Sequence, residues 1–338
     1  MQNVTAKEWL ESLYGTNAKK PLPILSFPCV GLLGTTVGKL VTDSHLQAQG
    51  MKLIADKTDA AAAVSFMDLS VEAECFGATV VLSDDEVPTV KGRLIDDADA
   101  AEALPIPAIG SGRTGVYIDA VKEACTLITD RPVLAGMIGP FSLAARLFDV
   151  SEIMLDCFDD PDMVHTVLEK VTQFLIDYAL AFRAAGAKGI MMAEPVAGLL
   201  SPAMEEEFSS PYVKKIVDAV GTDDFLVLYH NCGDNVPKML DSILSTGCAA
   251  YHFGNAFDLK EDIFPFVPED TLILGNLDPA GVLRMGTPET VREETLNLLE
   301  KCAAFPNFVL SSGCDIPPQT PWENMESFFA AAKEFYGE

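Results

Sequence analysis

Eight times along the chain a short, continuously apolar run gives way to a helical segment, and this alternation restricts the fold more than any other feature. The runs cover residues 24–30, 62–68, 133–140, 189–196, 225–231, 249–254, 272–277 and 308–313. Continuous apolar character, rather than strict alternation, is what a parallel strand covered on both faces requires. The helices between them are well punctuated. Asp160-Pro161, Ser201-Pro202 and Thr287-Pro288 each set an N-cap before a proline at the first helical position, and Gly186 is placed to end a helix begun at Pro161. Eight strands alternating with helices predict an α/β fold, a (β/α)8 TIM barrel, with a doubly wound open sheet as the competing arrangement. No low-complexity linker divides the 338 residues, so one domain over 1–338 is expected. Within it, residues 1–20 form a helical N-terminal extension opened by the capping box Thr5-Ala-Lys-Glu8, and 72–110 form an insertion or hairpin after the second strand.

In such a barrel the chemistry gathers at the carboxyl ends of the strands. Those ends are polar here: Asp68 after the second run, Glu194 after the fourth, His230-Asn-Cys232 after the fifth, Asn255 after the sixth, Asn276 and Asp278 after the seventh, Cys314-Asp315 after the eighth. A strand sends residues i and i+2 to one face, so His230 and Cys232 can reach a single ion while Asn231 turns away. Cys314 falls on the same rim and completes a His/Cys/Cys set. Three protein ligands leave one position of a tetrahedral zinc open, as at catalytic sites. Two thiolates cancel the charge of Zn2+, which suits the site to ionising a bound thiol better than to making hydroxide. An isolated strand-end cysteine is usually a packed thiol, and a lone histidine usually satisfies a local hydrogen bond; the combination on one rim favours a metal.

Lys and Arg number 23 against 50 Asp and Glu, a net charge of −27, which argues against nucleic acid or an anionic membrane as partner. The eight cysteines, at 29, 75, 125, 157, 232, 248, 302 and 314, form no CxxC pair, and no signal peptide is recognisable, so a reducing cytoplasm is expected. No apolar segment approaches the roughly 18 residues of a membrane span. Gly31-Leu-Leu-Gly34 and Gly110-Ser-Gly112 do not form the GxGxxG of a dinucleotide site.

The chain resembles the uroporphyrinogen decarboxylase superfamily and, within it, the methylcobamide:coenzyme M methyltransferases and related corrinoid-dependent methyltransferases. His230, Cys232 and Cys314 carry the resemblance, supported by Gly275-Asn-Leu-Asp-Pro279 and Cys314-Asp-Ile-Pro-Pro318, and it extends from about Pro21 to the C-terminus. It implies a (β/α)8 barrel whose zinc, held by His230, Cys232 and Cys314, prepares a thiol such as coenzyme M to take a methyl group from a methylcobamide. A corrinoid protein would present that donor over the barrel mouth. The family's carboxylate-rich segment after the sixth strand is replaced here by Tyr251-His-Phe-Gly-Asn-Ala256. The resting zinc would then take Glu194, His252 or water, and the acceptor is open among coenzyme M, homocysteine and a folate.

The catalytic candidates are therefore Glu194, His252 and Asn255, and the substrate-binding candidates Asp68, Asn276 and Asp278. Each has a plainer reading: Glu194 and Asp68 can cap loops, and Asp278 before Pro279 suits a helix N-cap. Arg113 and Arg146 can hold a sulfonate or carboxylate, although in so acidic a chain an intramolecular ion pair is the default. Two other functions compete. Porphyrinogen decarboxylation needs cationic groups for a polycarboxylate, yet no arginine precedes Arg93 and the stretch 27–36 is neutral. A non-catalytic corrinoid-binding protein would not need all three zinc ligands.

Overall fold

Seven of the eight apolar runs become strands of one parallel sheet in the computed structural model, which describes residues 4–16 and 19–337. In chain order the strands are β1 (Ala63–Val64), β2 (Thr79–Val81), β3 (Thr89–Lys91), β4 (Val133–Ile138), β5 (Gly189–Ala193), β6 (Leu226–Asn231), β7 (Ala250–Phe253), β8 (Leu272–Leu277) and β9 (Phe308–Ser312). The large sheet runs β1-β4-β5-β6-β7-β8-β9, each strand beside its successor, without the reversal of order that a doubly wound sheet requires.

The first expected strand, 24–30, does not form. The chain is already helical at Cys29–Leu33, and the segment that closes the gap between β9 and β1 lies earlier, around residues 21–24. There Leu22 donates its N–H to the Leu310 carbonyl (2.9 Å) and Pro21 accepts from the Ala61 N–H (2.8 Å). Pro21 and Pro23 have no N–H to offer, so this eighth stave of the (β/α)8 barrel closes it without a regular ladder.

Alternation along the staves divides the core in two. Leu134, Met191, Leu228, Leu274 and Val309 point into the barrel and pack with one another, while their neighbours face the surrounding helices. The helix Ala6–Glu11, opened by the Thr5/Glu8 capping box, contributes Trp9 and Leu10 to the inner cluster. It stoppers the amino end of the barrel: Trp9 Nε1 donates to the Ala61 carbonyl (3.1 Å) and Lys7 N–H to that of Asp223 (2.9 Å). The helix Pro161–Ala185 starts at the Asp160 cap and stops at Gly186, whose φ of 106° is readily adopted only by glycine. Ser201 and Thr287 likewise cap the helices Pro202–Phe208 and Pro288–Cys302. Between β1 and β4 the chain makes an antiparallel hairpin from β2 and β3, with Thr79 opposite Lys91. No helix among the described residues is long and apolar enough to cross a membrane.

Candidate metal centre at the barrel mouth

Going up β6, Leu226 and Leu228 join the inner core, and the next inward residue is His230. Apolar side chains thus fill the barrel until its last layer, where the paired neighbours His230 and His252 and the residue Ser311 on β9 replace them. His230 is 2% exposed, and Cys232 and Cys314 are half-buried. The three offer one ligand atom each, all within 4.8 Å of one another, the sole such grouping of His, Cys, Asp and Glu among the described residues. His230 Nε2 lies 3.4 Å from Cys314 Sγ, and the two sulfurs are 3.9 Å apart. A tetrahedral zinc with bonds of about 2.3 Å to sulfur and about 2.0 Å to nitrogen holds its ligands roughly 3.5–3.8 Å apart, close to these two separations.

Local structure brings the three together. Asn231 turns outward, donating to the Tyr229 hydroxyl (2.9 Å) and accepting the Gly233 N–H (2.9 Å), which curls the chain immediately after Cys232. Gly254 lets the backbone of Cys232 come close: a Cβ there would lie 2.5 Å from Cys232 Cα. Cys314 follows β9 through Gly313, over which Asn255 sits; a Cβ on Gly313 would lie 2.8 Å from Asn255 Oδ1.

A hydrogen-bond chain sets the tautomer of His230. Ser311 donates its hydroxyl to the Leu22 carbonyl (2.7 Å), so it accepts from His252 Nε2 (2.7 Å). Burial, and after it the adjacent His230, hold the His252 pKa well below its ordinary value, so His252 is neutral and its Nδ1 is an acceptor. His230 then donates from Nδ1 to His252 Nδ1 (2.8 Å), leaving its Nε2 lone pair aimed at the cysteines. His252 was anticipated as a catalytic or zinc-binding group; its ring instead spends both nitrogens orienting His230.

The thiols are electrically distinct from the rest. Burial pushes Cys29, Cys157, Cys248 and Cys302 up to about 12. Cys232 is driven the other way by the hydrogen bond from Cys314 and then by His230, while Cys314 is raised because the thiolate it faces favours its proton.

The remaining rim candidates divide. Glu194 is fully buried, and its carboxylate accepts from Phe141 N–H (2.9 Å), Ser142 N–H (2.9 Å) and Ser142 Oγ (2.6 Å), capping the helix Pro140–Phe148 rather than entering the ligand set. Burial raises its pKa to about 7 against those bonds. Asp68 is paired with Arg113 and accepts from Tyr117 Oη (2.8 Å) and Ser70 Oγ (2.6 Å), while Arg113 also reaches Glu74 (2.6 Å). Asp278 is a helix N-cap, taking the N–H groups of Ala280 and Gly281 at 2.9 Å. Asn276 donates to the carbonyls of Gly254 (2.9 Å) and Phe257 (3.0 Å), bracing the turn behind Cys232, and it lines an open cleft together with Asn255 and Asp278. Ser142 and Ser311 escaped sequence reasoning; alternation from Val309 places Ser311 inward, but no sequence signal marks its partner.

The uroporphyrinogen decarboxylase (URO-D) family model matches residues 32–335. Methylcobamide:CoM methyltransferase MtbA of Methanosarcina mazei is 30% identical, over 96% of this chain and 97% of its own length. Uroporphyrinogen decarboxylase of Coxiella burnetii is 26% identical, over 81% of this chain and 77% of its own. Among solved structures, a methyltransferase from Methanosarcina mazei superposes with a TM-score of 0.87 over 99% of this chain and all of its own, at 24% identity, a likeness of fold.

Proposed function

Because the chain belongs to the uroporphyrinogen decarboxylase (URO-D) family, we propose that it is a zinc-dependent corrinoid methyltransferase, moving a methyl group from a methylcobamide to a small-molecule thiol. The observation that carries this reading is the His230/Cys232/Cys314 triangle, with its 3.4 and 3.9 Å separations, at the mouth of the barrel. Bound there, zinc would supply a Lewis acid that keeps the acceptor thiol ionised near neutral pH. The chain's own residues do the rest. The His252–Ser311–Leu22 relay keeps the Nε2 lone pair of His230 directed at the site, and Cys232 enters the ligand set as a thiolate. The proton of Cys314 leaves when the site fills, as ligation by sulfur demands.

The methylcobamide, carried by a corrinoid protein, would approach from the open mouth, since the N-terminal helix stoppers the other end. Coenzyme M heads the acceptors because of the similarity to MtbA. Homocysteine shares the required thiol, whereas a folate would present nitrogen to a sulfur-rich ion. Porphyrinogen decarboxylation is disfavoured by the arginines. Arg93 is tied to Glu152 (2.9 Å) and Asp156 (3.2 Å), and Arg113 to Asp68 and Glu74, so neither is free to hold a polycarboxylate. A non-catalytic corrinoid-binding role has no use for the complete ligand set.

The test is a single-turnover reaction. Methylcob(III)alamin and a thiol should give demethylated cobalamin, read from the visible spectrum, with zinc-loaded protein and not after chelation. Cys314→Ala and His230→Ala should lose most of the bound zinc yet keep their circular dichroism, because a rim metal does not hold the core together. Full zinc content in both variants, or no spectral change with coenzyme M, homocysteine or a folate, would exclude the reading.

A further inference from the structure

The turn that carries Cys232 is held between two walls of backbone. On one side stands Gly254, after β7, where a Cβ would lie 2.7 Å from the Cβ of Cys232. On the other stands Gly198, in the single turn Ala197–Leu199 that follows β5. A Cβ on Gly198 would lie 2.6 Å from Gly233 Cα and 2.9 Å from Gly233 N, and it would overlap Asn231 Oδ1. A Cβ on Gly233 would in turn lie 2.6 Å from both C and O of Gly198. Asn231 and Gly233 flank Cys232 in the chain, so the contact grips the backbone on both sides of the sulfur-bearing residue. Neither Gly198 nor Gly233 has a positive φ. Alanine could adopt the same backbone, so closeness alone calls for glycine at these two positions.

The wall that carries Gly198 is itself fixed from behind. Glu194 opens that loop: its N–H donates to the His230 carbonyl (2.8 Å), and its carboxylate accepts from Phe141 N–H, Ser142 N–H and Ser142 Oγ. The same hydroxyl accepts from Val196 N–H (3.1 Å), a second tie between the loop and the helix Pro140–Phe148. Farther on, Asn235 Nδ2 donates to the Leu200 carbonyl (3.3 Å), and Val196, Ala197 and Leu200 are buried. A loop pinned at both ends cannot retreat from an added methyl group. The 231–233 turn would have to give instead, by about 1 Å, to restore an ordinary carbon–carbon contact of about 3.5 Å. Zinc–ligand distances tolerate only about 0.2 Å, so the displaced sulfur would leave bonding range.

We propose that the Gly198–Gly233 contact is a positioning device for Cys232, by which the clamped loop after β5 holds the Asn231–Gly233 turn where the Cys232 sulfur meets Cys314 Sγ and His230 Nε2. This rests on reading the three residues as metal ligands and adds the residues that set their spacing. Glu194 and Ser142 then act on the metal centre at second hand, through Gly198 and Cys232. The strand-end carboxylate belongs to the site as a clamp on its wall.

Co2+ titration reads the site without turnover, because each thiolate ligand adds charge-transfer intensity in the near ultraviolet. Gly198→Ala should lower Co2+ affinity about 10–100-fold and shed about half of that intensity, matching Cys232→Ala, with native circular dichroism. Ser142→Ala adds no volume and only loosens the clamp. It should weaken Co2+ binding about fivefold, the worth of one buried hydrogen bond, and it decides alone should Gly198→Ala fail to fold. Trp9→Ala, which removes stability at the opposite end of the barrel, should leave affinity and spectrum unchanged, which separates position from general destabilisation. Unaltered affinity and spectrum in Gly198→Ala, or in Ser142→Ala where it decides alone, overturns the assignment, as does an equal loss in Trp9→Ala. Absence of thiolate bands in the unaltered protein overturns it together with the ligand set. Bands that fade in Gly198→Ala, in a protein that transfers no methyl group, would uphold the positioning role and sink the methyltransferase reading. Methyl transfer by a protein whose bands Gly198→Ala leaves intact would do the opposite.

Discussion

The position of His230 is set by a residue that does not touch the ligand set's open side. His252 accepts from His230 Nδ1 and passes the constraint through Ser311 to the Leu22 carbonyl, so three staves cooperate in aiming one nitrogen. Replacing His252 by Leu strands the Nδ1–H of His230 in a buried place and frees its ring to rotate. Zinc affinity should fall about 10–100-fold, measured by competition with a chromophoric chelator, while the circular dichroism stays native. Unchanged affinity would show that packing alone holds the ring. The grouping of His230, Cys232 and Cys314 was legible in the sequence, because strand periodicity and residue chemistry are local properties. The support was not, because the register that sets His230 beside His252 is a relation between strands. Glu194 illustrates the same gap: a strand-end carboxylate has one sequence pattern whether it faces a metal or, as here, the N–H groups of a helix more than 50 residues earlier.

At the scale of elements, apolar run length and cap chemistry located seven of the eight staves and the starts of the main helices. The first stave was misplaced because prolines at 21 and 23 remove the donors that define a strand while leaving the chain extended. The small N-terminal helix gains its importance from where it lands. Its six residues would be marginal alone, and burial of Trp9 against the floor of the barrel core supplies the stability that length cannot. Trp9→Ala should cost about 3–5 kcal/mol in denaturant unfolding, through the lost indole volume and its hydrogen bond to Ala61, with zinc content preserved at the opposite end. A loss within experimental error of zero would mean that the helix rests on the barrel without sealing it.

For the whole molecule, acidity and burial act together on stability. Glu72 and Glu194 are fully buried, and burial raises each from 4.5 to about 7. Between those values the folded protein keeps protons that the unfolded chain has released, so its stability falls as pH rises through that window and levels off above it. Each group contributes on the order of 3 kcal/mol at full shift, and the net charge of −27 adds self-repulsion of the same sign. Urea midpoints should therefore fall from pH 5 to pH 8, and the fall should be shallower in Glu194→Gln; an identical slope in that variant would remove Glu194 from the explanation. Residue order was sufficient for the α/β barrel, its polar carboxyl-end rim and the grouping of His230, Cys232 and Cys314, since each follows from periodicity, capping and side-chain chemistry along a few consecutive residues. Which acids are structural caps and which histidine supports rather than binds depended on the closed barrel, because pairing is settled by distances across strands and by what each buried charge finds when water is gone.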